Sequence, residues 1–275
     1  MEMEKVKKEL MHMFHAWRIL LGSLVKWILL SIVIGGVIGV IASAFANLIT
    51  WATDFRMGHM WMVYLLPFAG LMIVFLYHVT GQEKNAGTDM VLMVVRSDQN
   101  TMPGRVAPLI LIATALTHLF GGSAGREGAA LQLGGSIGNS LGRLFRFDEK
   151  DKHIMIMCGM SAAFSALFGT PMAAAIFSME VVSVGVMYYS AIVPCVLSAL
   201  IAQVVASAMG IEATSFQVTA VPQMTPLTLV QVGVLGILCA FVAVLFCGIM
   251  HLAPKGYDKI TKNPYLRVVL GGCIV

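Results

Sequence analysis

Along the chain, long apolar stretches alternate with short polar ones. No Lys, Arg, Asp or Glu occurs over 27–53, 57–82, 106–125, 153–179, 181–211 or 213–254. A helix that crosses a bilayer needs about 20 consecutive, mostly apolar residues, and each of these runs is that long. Internal Gly, Pro and polar residues interrupt several of them, so a run need not be one straight helix. The pattern predicts a helix over 1–26, spans over 27–50 and 60–78, and a polar connection over 81–105 that holds a short helix. It then predicts a helix over 106–120, a glycine-rich break, and a helix running on to about 145. A broken pair follows over 153–168 and 171–184, parted at Gly169-Thr170-Pro171, and then spans over 187–208 and 226–251. Residues 254–267 read as a basic loop. The last apolar run, Val268–Val275, is too short to span, and the expectation is a chain that stops inside a helix of a longer protein.

Glycine spacing adds packing to this outline. Gly35 and Gly39 are four apart in the first span, and Gly134, Gly138 and Gly142 repeat at the same interval in a later helix. One face of each helix is then nearly bare backbone, which lets a neighbouring helix approach closely.

Composition excludes a soluble reading. The chain is 58% hydrophobic and 12% charged, against about 45–50% and about 25% in ordinary soluble domains. The fold class is therefore all-α and polytopic, with an N-terminal segment over 1–26 and a membrane domain over 27–275. The net charge of +4 comes from basic connections and does not describe a nucleic-acid surface. Cys158, Cys195, Cys239, Cys247 and Cys273 stand singly in apolar runs, without the paired spacing of a metal site. No cofactor or metal is expected. The N-terminus carries Lys5, Lys7, Lys8 and Arg18 and lacks the layout of a cleavable signal. Lys and Arg gather at the N-terminus and at 81–105, 143–152 and 254–267, whereas 52–59 and 209–225 are poor in them. By the positive-inside rule the first set is cytoplasmic. The expected location is a bacterial inner (plasma) membrane with the N-terminus in the cytoplasm.

Chemistry concentrates at Gly121-Gly122-Ser123-Ala124-Gly125-Arg126-Glu127-Gly128. Non-helical backbone at membrane depth is tolerated where protein or a water-filled cavity satisfies it. A helix that starts just after such a break points free N–H groups and its positive dipole end at that cavity, an arrangement suited to an anion. Glu127 then has a defined job: ionised, its carboxylate occupies the anion position, and protonated, it is neutral and leaves. Burial at membrane depth favours the neutral form. The competing explanation is an Arg126–Glu127 ion pair in a loop. A phosphate loop would need Gly-Lys followed by Ser or Thr, and a membrane metalloprotease would need a His-Glu-x-x-His pair. An intramembrane enzyme with Glu127 as base would lack a nucleophile or metal pair, and a purely structural subunit would leave the charged glycine break unexplained.

Gly-Arg-Glu-Gly followed by Gln132 resembles the CLC family of chloride channels and anion/proton antiporters. Ala162-Ala163-Phe164, Gly169-Thr170-Pro171 and Phe177-Ser178-Met179-Glu180 resemble that family's broken helix pair, and Gly87-Thr88-Asp89-Met90-Val91 falls at its first anion loop. The resemblance implies a CLC-type fold with broken and tilted helices, of which this chain is the N-terminal part. It implies a homodimer in the lipid bilayer with one pathway per subunit for fluoride or chloride, coupled to protons, and with Glu127 as gate. It also implies Thr88, Met90, Gly125, Arg126, Gly128 and Ala129 as anion-site residues. Thr88 replaces the usual loop serine, with Met90 nearby, Ala129 stands where a proline is usual, and Val181 where the chloride/proton exchangers carry a second glutamate. These departures resemble the fluoride-exporting branch, so the expected function is fluoride/proton antiport, with chloride conduction or exchange as the alternative. Three lesser residues stay open. Glu180 reads as an interfacial carboxylate, His118 as a satisfied buried histidine, and Thr88 as either an anion donor or a helix N-cap.

Overall fold

The computed structural model describes residues 2–83, 87–96, 103–181, 188–213 and 218–274. Parts of the basic 81–105 connection, including Lys84, and the end of the predicted 171–184 helix lie outside the described residues. Among the described residues ten α-helices follow one another: α1 (Glu2–Gly58), α2 (Leu66–Val79), α3 (Thr88–Arg96), α4 (Val106–Leu119), α5 (Glu127–Leu144), α6 (Glu149–Phe168), α7 (Pro171–Glu180), α8 (Ile192–Ala208), α9 (Pro226–Ile260) and α10 (Pro264–Ile274).

Three boundaries differ from the sequence pattern. The predicted 1–26 helix and first span run together as α1, because no Pro or Gly-Gly break separates them and Lys26 is itself a good helix former. The second span opens as a 3₁₀ turn over Met60–Leu65 before Pro67 helps start α2. The basic stretch at 254–267 is largely helical: α9 continues through Pro254 to Ile260. A proline removes one backbone hydrogen bond and crowds the preceding turn, but Lys255 and Lys259 beyond it favour helix, and the interruption is tolerated. The broken pair is as read. Gly169 ends α6 in the left-handed region (φ 71°), its N–H bonded to Ser165 O at 2.8 Å, and Pro171 starts α7.

The core forms around α6, whose residues from His153 to Leu167 are buried apart from the half-buried Phe164. A helix apolar all round belongs inside a bundle, and α6 packs against α1, α5, α7 and α8. Glycine decides the closest crossings. Gly134 on α5 and Gly159 on α6 face each other backbone to backbone, and Gly138 lies against Met155 O, so a methyl group at any of the three would meet main-chain atoms. Gly35 and Gly39 pack α1 on α8: a Cβ on Gly35 would stand 2.7 Å from Ser198 O. Polar side chains join the same helices. Ser161 and Ser165 of α6 donate to Cys195 O (3.0 Å) and Ala199 O (2.8 Å) of α8, a matched pair of four-residue steps. The crossing also brings Cys158 and Cys195 together, Sγ to Sγ at 3.9 Å, which their isolated positions in sequence conceal. At one end of the bundle Lys26 pairs with Asp151 and sits 4.7 Å from the Phe147 ring centre, fastening α1 to the α5–α6 turn.

The outside is apolar. Leu29, Ile32, Val37, Phe68, Phe75, Leu200 and Val204 are exposed, as is nearly the whole of α9. Among the described residues Met13–Gly58, Met60–Val79, Tyr189–Ala208 and Pro226–Tyr257 are long and apolar enough to cross a membrane. A surface of this kind suits hydrocarbon and would aggregate in water.

Candidate functional site

The break after α4 is built by glycine. Gly121 takes φ +80°, Gly121 N–H bonds His118 O (3.3 Å) and Gly122 N–H bonds Thr117 O (2.8 Å), which closes the helix with a left-handed cap. The chain then runs without helix to Arg126, and α5 begins at Glu127 with no side-chain cap. Its first N–H groups and its dipole point out of the break. A second helix start meets it there. Gly87 (φ +64°) turns the chain into α3, whose first residue is Thr88. The Thr88 hydroxyl stands 2.8 Å from where a Cβ on Gly128 would be. Glycine at 128 is therefore what lets the two N-terminal ends converge. Thr88 stands at the start of α3.

Glu127 and Arg126 are both exposed, and among the described residues no ion pair joins them. The loop ion pair that competed for these residues is absent from the geometry. The expectation that burial would enclose Glu127 is also corrected: the α4–α5 break opens on a face that this chain leaves uncovered, so the carboxylate is exposed. It folds back over Gly125, where a Cβ would lie 2.5 Å from Oε2. Gly125→Ala should leave the fold intact, since the atom displaced is the end of a flexible side chain, and should push the carboxylate off its position. The expected result is an unchanged melting temperature with a roughly tenfold or larger fall in ion flux, of the order that small misplacements at a reacting centre produce. Equal loss of both would mean that Gly125 serves packing alone.

Of the other sequence candidates, Ala129 is buried in the core, Gly128 is half-buried on α5 against Thr88, and Met90 is half-buried on α3, two residues beyond Thr88. Glu180 is exposed at the end of α7, with Val181 capping the helix. The Nδ1 of His118 lies 2.9 Å from Thr114 O, so that histidine is satisfied within α4.

Two residues enter the neighbourhood that the sequence did not place there. Arg56, in the last turn of α1, packs its Cδ and Nη1 within 3.4 and 3.5 Å of the Cβ position of Gly121, with Nε buried and unpartnered among the described residues. Nothing in the sequence ties position 56 to 121. Gln132 is 6% exposed and its Oε1 has no hydrogen-bond partner among the described residues, an arrangement that costs about 1–3 kcal/mol when left so. Its signal was legible, since Gln132 lies four residues after Gly128 and so on the same helix face.

The chain is similar to several known proteins. A family described as voltage gated chloride channel matches residues 69–275. A "Chloride/fluoride channel protein" of Pseudomonas syringae pv. tomato is 32% identical over 256 residues, covering 93% of this chain and 57% of that protein. An "H(+)/Cl(-) exchange transporter ClcA" of Citrobacter koseri is 28% identical over 167 residues, covering 56% of this chain and 35% of that one. The crystal structure of a CLC-type fluoride/proton antiporter superposes with a TM-score of 0.86 at 32% identity, covering 91% of this chain and 64% of that one. A slow cyanobacterial Cl-/H+ antiporter superposes at 0.74 with 19% identity, covering 90% of this chain and 62% of that one, a likeness of fold alone. The chain thus spans less than two thirds of the length of each of these relatives.

Proposed function

The chain belongs to the voltage gated chloride channel family, and on that premise we propose that this integral membrane protein takes part in fluoride/proton antiport with Glu127 as the gate. The observation that carries the reading is the convergence of two helix starts, α3 at Thr88 and α5 at Glu127, the second without a side-chain cap, across the bare backbone of Gly128. Partial positive charge from both helices and the Thr88 hydroxyl supply donors to an anion. Glu127 at the first turn of α5 competes for the same donors when ionised and releases them when protonated. Gly125, Arg126, Ala129 and Met90 complete the site in this reading. Arg56 beside Gly121 adds a cation near the break, which raises the local anion concentration.

Fluoride is the proposed anion because Thr88, Ala129 and Val181 depart from the chloride exchangers in the direction of the fluoride-exporting branch, and the relatives at 32% identity carry fluoride in their names. Chloride transport is the second reading, favoured by the similarity to the ClcA exchanger. Liposomes containing the purified whole protein, loaded with each halide in turn, should release fluoride faster than chloride. Chloride release at an equal or greater rate would defeat the fluoride assignment.

A bacterial inner membrane, with the N-terminus and the basic connections in the cytoplasm, is the orientation that the charge distribution supports. A homodimer is the proposed assembly. Of the three alanines after Pro171, Ala174 and Ala175 turn into the core (each 0% exposed), which leaves Ala173 with the exposed Met172, Ile176 and Phe177 as the face on α7 for a second copy. Light scattering in detergent should give twice the subunit mass. A monomer at every concentration would exclude the dimer, and Ile176→Trp should shift the protein toward the monomer.

A further inference from the structure

Besides Arg56 Nε, Gln132 is the polar group at the site that packing does not explain among the described residues. It lies in a buried row of α5 with Ala129, Ala130, Leu131 and Leu133, and among the described residues nothing bonds its Oε1. Buried amides are bonded in the great majority of cases, and an exception asks for an occupant. The position of this amide names the occupant's chemistry. Its Nε2 stands 4.0 Å from the Cβ position of Gly87, at the turn into α3, and Gly128, one helical turn earlier on the same face, meets Thr88 Oγ1. The amide therefore sits one turn deeper than the two helix starts, beside the path that a bound anion takes in the reading above.

We infer that Gln132 is a further substrate-binding residue, and that its carbonyl accepts a hydrogen bond from a donor that travels with the anion while its N–H₂ faces the anion itself. A bare halide offers no proton to Oε1 and is repelled by it. An anion accompanied by a bound water, or present as its acid, offers one. Fluoride suits this better than chloride, because hydrogen fluoride is a weak acid and hydrogen chloride a strong one. The amide thus favours the hydrated or protonated form over the naked ion. This inference rests on the anion-path reading of the α3–α5 junction and adds a residue and a form of the substrate to it.

Gln132→Met is the test, because methionine keeps the length and volume while removing donor and acceptor. Whole protein in liposomes is assayed for initial halide flux against concentration, with melting temperature measured on the same preparations. The expected result is a KM at least about tenfold higher with a melting temperature unchanged or raised, since the variant removes an unsatisfied group. Gln132→Asn, which keeps the amide but is one methylene shorter, should fall between. Wild-type KM and maximal rate in Gln132→Met would overturn the inference. So would a drop in melting temperature that parallels the loss of flux, or failure of the variant to fold, because either makes the amide structural. Fluoride and chloride run side by side identify the donor: loss confined to fluoride assigns the acid, and equal loss for both assigns the accompanying water. Wild-type protein without proton-coupled fluoride flux would defeat the antiport reading on its own, and the ratio of variant to wild type is then read on whichever halide the wild type moves.

Discussion

Glu127→Gln should abolish proton movement driven by an anion gradient while leaving a folded protein. The amide has the size and neutral charge of the protonated acid but cannot lose its proton. If one carboxylate both occupies the anion position and carries the proton, substitution removes the carrier altogether, and coupled proton flux should fall to the background of empty liposomes. Positioned proton-transfer groups contribute about a hundredfold or more to the steps they serve, so the loss is well above assay noise. Anion flux then separates two cycles. Persisting flux means that the neutral side chain stays out of the path, and arrested flux means that the carboxylate must return to it in every turnover. Folding is not the explanation for either, because Glu127 is exposed and without an ion-pair partner among the described residues, and surface substitutions of that kind change stability by about 0.5 kcal/mol or less. A folded Glu127→Gln variant that still moves protons against their gradient when fluoride is supplied would remove Glu127 from the mechanism.

Gly134→Val should cost the fold itself. The Cβ of any residue at 134 would run into the carbonyl of Gly159, and the Gly159 position meets Gly134 in return, so neither helix can yield without parting. Overpacking in a close-packed interior costs about 1–3 kcal/mol when side chains can move aside, and here backbone would have to. The expected loss is at least about 3 kcal/mol, seen as aggregation in size-exclusion chromatography or a collapsed melting temperature. Gly36→Ala is the contrasting variant. That glycine has no heavy atom within 4 Å of its Cβ position, and alanine is the better helix former by about 1 kcal/mol. Gly36→Ala should therefore fold as the wild type does or slightly better. Equal tolerance at both positions would mean that the α5–α6 crossing is looser than its geometry.

The site divides in the same way as these two glycines. Glu127 at the first turn of a helix after a glycine break was legible because Gly121–Gly128 is a charged interruption between two apolar runs, and such an interruption is costly at membrane depth unless it has a use. That Thr88 would sit against Gly128 was not legible from spacing, since positions 88 and 128 belong to different helices and only the family resemblance joined them. Gln132 was visible as part of the motif and passed over, because its importance lies in a missing partner, and a sequence does not list partners. Arg56 carried no signal at all. Its place beside Gly121 depends on where α1 ends relative to α4, which is set by how far α1 slides along α8.

Run lengths and residue types along the chain were enough for the helical class, most of the elements, the membrane setting, the breaks at Gly121–Gly128 and Gly169-Thr170-Pro171, and the glycine faces of α1 and α5. These are local properties: hydrophobic run length, backbone freedom at glycine and the missing N–H of proline act within a few residues of themselves. Packing between elements settled that Ala174 and Ala175 face inward, that Cys158 meets Cys195, and that the starts of α3 and α5 converge. Each of those depends on which surfaces a helix finds opposite it. The repeat of small residues says that a close crossing is possible, but only the partner backbone, Gly159 for Gly134 and Ser198 for Gly35, fixes which crossing forms and therefore where the glutamate, the threonine and the buried amide stand with respect to one another.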